Sequence, residues 1–518
     1  MTTSCTGFLE LQGNVLTGVL PTELGLMTEL MTLHLSNNRL SSGIPTQIGT
    51  LTNLELLNLN ENEMNGTLPS ELGNLISMNS LSMTNNHITG TLPKQIGNLG
   101  NLTLFFVNKN GLTGTLPSEL GHLTSMDRLS MAGNSINGSI PTEIGSFSNM
   151  TSFEISGNSI TGSLPSELGL LTILTTLSVS NNWINSTIPT EIGNLAQLMR
   201  FDAQRNLLTD SLPSELGRWT KLSMLYIDYN QFTSTIPTDL GNLAQLSEFT
   251  AYTSNITGPI PSELGRLTSL TKLAIVDNSI TSTIPTELGN LVLLEYLFAN
   301  GNKLTGSLPS ELGWLKRLSL LSTYSNHMTG TIPTEFGNLS QLTEFSVYTN
   351  NITGPIPSEL GRLISLISLV LDDNQINSTI PTELGNLLQL LNLSAETNGL
   401  TGSLPSELGH LTLLIGLATG TNHLSSTVPT EYGRLQQLQL ISVYRNALTG
   451  ALPTELGLLN NLTYLDLSAN HFNGTIPTEL ALLSQLQYLN VSVNHLTGTI
   501  PSVLGLLDSL CKYLNGYC

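Results

Sequence analysis

The sequence predicts an α/β solenoid with a parallel sheet and short helical turns. Three observations carry this. An asparagine recurs every 24 residues from Asn14 through Asn38, Asn62 and Asn86 to Asn494, with one miss, at Ser254. A proline stands seven residues after each landing, from Pro21 to Pro501, and a glycine four residues further, from Gly25 to Gly505, with Ala481 the one departure. Apolar and polar residues alternate just before each asparagine. A fixed period of this length marks units that bury their apolar faces only against their neighbours.

Each element follows in order. Before Asn230, Leu225 and Ile227 alternate with Tyr226 and Asp228. That period of two marks a short strand with one buried face, and stacked rungs pair such strands into a parallel sheet. The asparagine amide carries donors and an acceptor, so at a tight bend it can satisfy backbone groups of its own rung and the next. Ser254 is shorter and is expected to be a local weak point. The ladder proline then fixes φ and starts the return segment. A Glu-Leu-Gly-Asn-Leu stretch follows, read as a helical turn closed by glycine. The residue two after the proline is acidic in 18 of 21 rungs, the exceptions being Gln47, Gln95 and Val503. A carboxylate there offsets the unpaired N–H groups of a helical turn; a cation-binding stripe is the sharper alternative.

Composition excludes several functions. Lys+Arg number 17 against 37 Asp+Glu, a net charge of −20. Nucleic-acid phosphates want a basic footprint, and anionic lipid wants the same. No apolar run reaches the ~18 residues of a membrane span, and the opening MTTSC is too polar for a secretory signal. No His-Glu-x-x-His, Gly-x-Ser-x-Gly, phosphate loop or metal-spaced cysteine pair is present, so neither catalysis, cofactor nor metal is expected. Five of the eight histidines, His471 and His495 among them, simply follow the ladder position.

The pattern LxxLxLxxNxLTGxIPxxLGNLxxL resembles the plant-type leucine-rich repeat of receptor-like kinases, receptor-like proteins and polygalacturonase inhibitors. It covers residues 8–510 in about 21 repeats of 24. The strict PTELGNL and PSELGxL phrases are similar to secreted or membrane-anchored repeat proteins of algae and stramenopiles. The resemblance implies a right-handed superhelix with a concave sheet, extracellular and often glycosylated, that recognises a peptide, protein or glycan. A co-receptor or a homotypic contact is a further partner it implies. It also implies caps. Cys511 and Cys518 match a closing cysteine cap over residues 511–518 and are expected to pair. Cys5 falls where the second cysteine of an opening cap belongs, so residues 1–7 read as part of that cap, with the chain beginning inside it.

Residues between the buried strand positions face the concave side. Early rungs offer mainly small polar groups there. The middle rungs offer Arg200, Asp202, Tyr226, Asp228, Tyr229, Tyr252, Tyr296, Phe298, Tyr324, Tyr348 and Asp372, the candidate ligand-binding residues. Solvent-facing aromatics on a rigid sheet serve as binding hot spots, although tyrosine also packs across strands for its own sake. The neighbouring acids favour a basic or hydroxyl-rich ligand.

On the flank, a Thr-x-Thr ladder such as Thr281/Thr283 and Thr329/Thr331 resembles the ice-binding face of solenoid antifreeze proteins, an alternative function; a structural cell-wall or cell-surface glycoprotein is another. Asn-x-Ser/Thr sequons stand at Asn65, Asn101, Asn137, Asn149, Asn185, Asn255, Asn338, Asn351, Asn377, Asn392, Asn461, Asn473 and Asn490, consistent with a secreted glycoprotein. Five of them (Asn65, Asn137, Asn185, Asn377, Asn473) lie on the Thr-x-Thr flank, where glycans would spoil an ice face.

Overall fold

A computed structural model describes residues 7–507 and 509–510. Cys5, Cys511 and Cys518, and the expected Cys511–Cys518 pair, lie outside the described residues. The chain divides into two units, Met1–Thr257 and Gly258–Cys518.

In the first unit a parallel sheet runs from Gly7–Glu10 and Leu30–His34 to Glu248–Thr250. Its register is constant: Arg128 pairs with Ser152, Leu129 with Phe153 and Ser130 with Glu154. In the second unit the same sheet pattern runs from Lys272–Ala274 to Tyr488–Asn490. The alternation expected from sequence is obeyed. Leu129, Phe153, Leu177 and Phe201 are fully buried, one per rung, while Arg128, Ser152, Glu154, Thr176 and Arg200 on the same strands are exposed or half-buried.

The asparagine ladder binds rung to rung. Asn62 Oδ1 accepts the Leu40 N–H of the preceding rung (3.0 Å), and its Nδ2 donates to that rung's Leu35 carbonyl (3.0 Å) and to its own Leu59 carbonyl (3.2 Å). Ser254 departs from the expected weak point. Its Oγ still donates to the preceding rung's Ile227 carbonyl (2.8 Å), and its backbone carbonyl accepts the Phe232 N–H (3.0 Å) that an asparagine side chain would otherwise take. Left-handed φ values of 47° at Thr253 and 57° at Asn255 bring that carbonyl in.

The return segments are five-residue 3-10 helices such as Thr142–Ser146, begun after Pro141. So short a return suits a rung that must repeat at strand spacing. The glycine does not close the turn. It is the fourth residue within it, and a Cβ on Gly217 would stand 2.5 Å from the Asp239 carbonyl oxygen of the next rung. Close stacking of the turns, rather than left-handed backbone, demands glycine here.

Two further features place side chains. The residue before each ladder position is left-handed, including Arg205 (φ 53°), Tyr229 (φ 52°) and Asp373 (φ 49°). Those side chains leave the rung at the bend rather than from the strand. On the flank, short secondary strands pair between rungs, as Thr89–Thr91 with Gly111–Thr115. There the first hydroxyl of a Thr-x-Thr can donate back to the preceding rung: Thr89 to the Gly66 carbonyl (3.1 Å) and Thr113 to that of Gly90 (3.2 Å).

Candidate functional site

Three side chains per rung face outward, at six, four and two residues before the ladder position. They are ~6.7 Å apart along the strand and ~4.8 Å apart between rungs. Most of the sequence-predicted residues occupy these columns.

In the first unit they form three local groups. Arg200 Nη2 donates to Asp202 Oδ2 (3.0 Å), and its guanidinium lies 4.9 Å from the centre of the Tyr226 ring. The Tyr226 hydroxyl donates to Glu248 Oε2 (2.8 Å). Burial, and then that bond to Glu248, push the Tyr226 phenol up to about 12. Asp202 is 4% exposed and its Oδ1 has no hydrogen-bond partner among the described residues. Tyr229 stands at the bend beside Arg205, 5.0 Å from ring centre to guanidinium, and is 47% exposed. Asp228 is committed to the fold: it accepts the Thr250 hydroxyl (2.6 Å) and the Tyr252 N–H (2.7 Å) of the next rung. Burial, and then Asp228, raise the Tyr252 phenol.

In the second unit the predicted aromatics pack on one another. Tyr296 and Phe298 lie parallel at 6.3 Å, with Tyr296 38% exposed. Tyr324 and Tyr348 stack at 4.2 Å across rungs. Burial, and then Tyr324, push the Tyr348 phenol up to about 12. Asp372 repeats the Asp228 arrangement, accepting the Ser394 hydroxyl and the Glu396 N–H, both at 2.6 Å.

Sequence reading passed over two groups. One is a stacked pair, Tyr464 and Tyr488 (4.4 Å), with the Tyr488 hydroxyl 3.4 Å from Asp466 Oδ2. The other is a cavity of about 400 Å³ on the first unit's sheet face, lined by Phe106, Asn108, Arg128, Ser130, Thr151, Ser152, Glu154, Thr175 and Thr176. Giving the early rungs' outward columns the weight of the middle ones would have found both Phe106 and Glu154. Larger grooves, of about 920 and 550 Å³, follow the Pro-Ser/Thr-Glu flank of the second unit.

Twelve of the thirteen sequon asparagines are exposed; Asn490 is half-buried, its Nδ2 donating to Tyr488 Oη (3.2 Å) and Asp466 Oδ2 (3.3 Å). Of the exposed ones, Asn392 lies on a main-sheet strand, Asn392–Ser394, and Asn137, Asn377 and Asn473 lie on the short flank strands. Among the described residues no three His, Cys, Asp or Glu side chains are grouped to hold a metal ion, and no helix is long and apolar enough to cross a membrane. His471 and His495 stack at 5.5 Å.

Comparison with the curated proteins finds no significant match. The Leucine Rich Repeat family model matches residues 29–51, 53–75, 77–99, 149–171, 174–195, 221–243, 293–315, 365–387, 461–483 and 485–507. Among solved structures, the plant peptide hormone receptor RGFR1 in complex with RGF2 is 33% identical, over 97% of this chain and 88% of that one, with a TM-score of 0.87. The Arabidopsis receptor kinase HAESA, in complex with the peptide hormone IDA and the co-receptor SERK1, is 32% identical over 96% and 83%, with a TM-score of 0.88. PEPR1–AtPEP1 is 30% identical over 97% and 78%, with a TM-score of 0.78. With its 24-residue rungs, its asparagine ladder and these relatives, the chain belongs to the leucine-rich-repeat family and is built like a receptor-kinase ectodomain.

Proposed function

We propose that this chain is a non-enzymatic extracellular recognition module that captures a peptide or protein segment on its sheet face. The observation that carries this is a half-open aromatic on each unit, Tyr229 at a bend of the first and Tyr296 on a strand of the second, each beside neighbours already fixed by hydrogen bonds or stacking. Rigid aromatics lose little entropy on binding and make effective anchors. Solved relatives hold peptide hormones, and one also holds a co-receptor; a co-receptor contact here is part of the proposal. So is glycosylation at the exposed sequons. The unbroken 24-residue register supports reading residues 8–510 as one solenoid; limited proteolysis yielding two stable halves would refute that.

Peptide-display selection on the purified protein tests the main reading. Enriched peptides should lose at least about tenfold in affinity for Tyr229→Ala or Tyr296→Ala, the scale of a binding hot spot, with melting unchanged. Peptides that bind both variants like the parent, or no enrichment at all, would remove the site from these residues.

A further inference from the structure

We propose that the cavity between Phe106 and Glu154 is a saccharide subsite that takes one neutral sugar ring. Its volume, about 400 Å³, lies within the range of about 300–1,000 Å³ usual for ligand pockets. The strand register puts Phe106, Ser130 and Glu154 in one column, so the aromatic ring and the carboxylate stand two rungs, about 9.6 Å, apart. Ser130 between them is small and buried, which leaves a slot open above it. Arg128 stands on the same strand as Ser130, with its side chain 60% exposed and its ion-pair neighbour Asp127 at 3.9 Å.

The polar groups have capacity to spare. Glu154 accepts the Ser152 hydroxyl (2.9 Å) and, weakly, that of Ser130 (3.4 Å), and a carboxylate has about four acceptor sites. Asn108 Oδ1 is occupied by the Ser130 hydroxyl (2.7 Å) and the Ala132 N–H (2.9 Å), while its Nδ2 donates to nothing among the described residues.

Elimination selects the ligand class. An apolar side chain would find only Phe106 as apolar wall. A ligand carboxylate would meet Glu154, and a ligand ammonium would meet Arg128; each like-charge approach in a part-buried site is costly. A neutral polyhydroxyl ring has neither problem. Its hydroxyl edge both donates and accepts, which suits Glu154 on one side and Arg128 and Asn108 on the other. Its C–H face packs on Phe106. This subsite uses none of the residues assigned to peptide capture and stands apart from that reading.

The test is saturation-transfer NMR and calorimetry on unglycosylated full-length protein. The probes are β-1,4-glucan, β-1,3-glucan and β-1,4-mannan tetrasaccharides, and a high-mannose glycoprotein. Saturable binding of a tetrasaccharide identifies a free oligosaccharide as the source; binding of the glycoprotein alone identifies a protein-borne glycan. In either arm Phe106→Ala and Glu154→Gln should each weaken binding at least about tenfold, the scale of one charge-assisted hydrogen bond. Tyr229→Ala should leave it intact, so failure here and failure of peptide capture are told apart. No saturation by any probe up to about 10 mM, a limit weaker than any useful affinity, overturns the proposal. So does binding that Glu154→Gln leaves unchanged, or a peptide that binds through Phe106 when no saccharide does.

Discussion

The Cγ2 methyl of Thr91 lies 2.6 Å from the point where a Cβ on Gly114 would stand, one rung on. Gly114 is left-handed, with φ 73°, so its missing side chain makes room for the threonine. Thr331 and Gly354 repeat the relationship at 2.6 Å, and Thr379 and Gly402 at 2.7 Å. The second threonine of such a pair is therefore a packing element between rungs, and the first, as at Thr89 and Thr113, a hydrogen-bond donor. Gly114→Ala should cost about 1–3 kcal/mol from backbone strain and overlap. Thr91→Ser in the same chain should recover part of that loss, and a double-mutant cycle by denaturant unfolding would measure the coupling.

The same packing explains the hydroxyl ladder without ice. Methyls seated against the next glycine are not presented to a lattice, and Pro259 and Pro355 interrupt the array. Unglycosylated protein should show no thermal hysteresis and no inhibition of ice recrystallisation. Clear activity lost when Thr329 and Thr331 are made bulky would reverse this.

Asn350 shows what one ladder residue holds. It is 7% exposed, accepts the Met328 N–H (2.9 Å), and donates to the carbonyls of Thr323 (3.0 Å), Val347 (3.0 Å) and Tyr348 (3.3 Å). Asn350→Ala strands a buried N–H and two or more carbonyls, and should cost about 2–4 kcal/mol. Asn350→Ser should cost less, since Ser254 keeps a cross-rung bond through its hydroxyl. Urea unfolding of the two variants side by side decides the order.

Period and chemistry made the rung legible. Alternation located the buried strand positions, and the amide chemistry of Asn62 led directly to its cross-rung bonds. Short-range packing was not legible. The glycine of each Glu-Leu-Gly reads as a helix terminator, because nothing in one rung shows that the carbonyl of the next approaches it. Asp228 and Asp372 read as ligand contacts for the same reason: their partners, Thr250 and Ser394, are 22 residues away in sequence. Asn60 and Asn108 occupy the equivalent position and make the equivalent bonds to Ser82 and Ser130. That recurrence was in the sequence, though only rung-to-rung geometry gives it meaning. The cavity at Phe106 escaped notice because a space between side chains leaves no mark in any one residue.

Two buried threonines break the core rule. Thr323 and Thr419 are fully buried, and their hydroxyls find no partner among the described residues. Valine fills the equivalent inward position at Val347 and Val443. A buried hydroxyl without a partner is costly. Thr323→Val and Thr419→Val should each stabilise the protein by about 1 kcal/mol, read as a later urea midpoint at unchanged m-value.

A rung with no outward side chain larger than alanine sets up the last prediction. Gly416, Ala418 and Gly420 fill its three outward positions. A Cβ on Gly420 would strike the Tyr444 ring, which lies across it. Over the same rung Glu396 Oε1 reaches the Ser442 hydroxyl at 2.5 Å, 46 residues on. Burial raises the Glu396 carboxyl above its ordinary 4.5, outweighing the bond from Ser442. Burial likewise raises Asp372 above 3.8. A carboxyl raised in the folded state contributes stability that is fully present below its unfolded pKa and is lost as pH rises through the folded value. Both groups therefore favour the fold more at pH 4.5 than at pH 7. Melting temperature should rise on acidification across that window, helped by the fall of a net charge of −20. Glu396→Gln keeps an acceptor for Ser442 and removes the charge, and Asp372→Asn reproduces the bonding of Asn108. Each should be neutral or stabilising at pH 7 and should flatten the pH dependence. A melting curve series that falls steadily from pH 7 to 4.5, with the variants parallel to the parent, would show that these two carboxyls pay no desolvation cost.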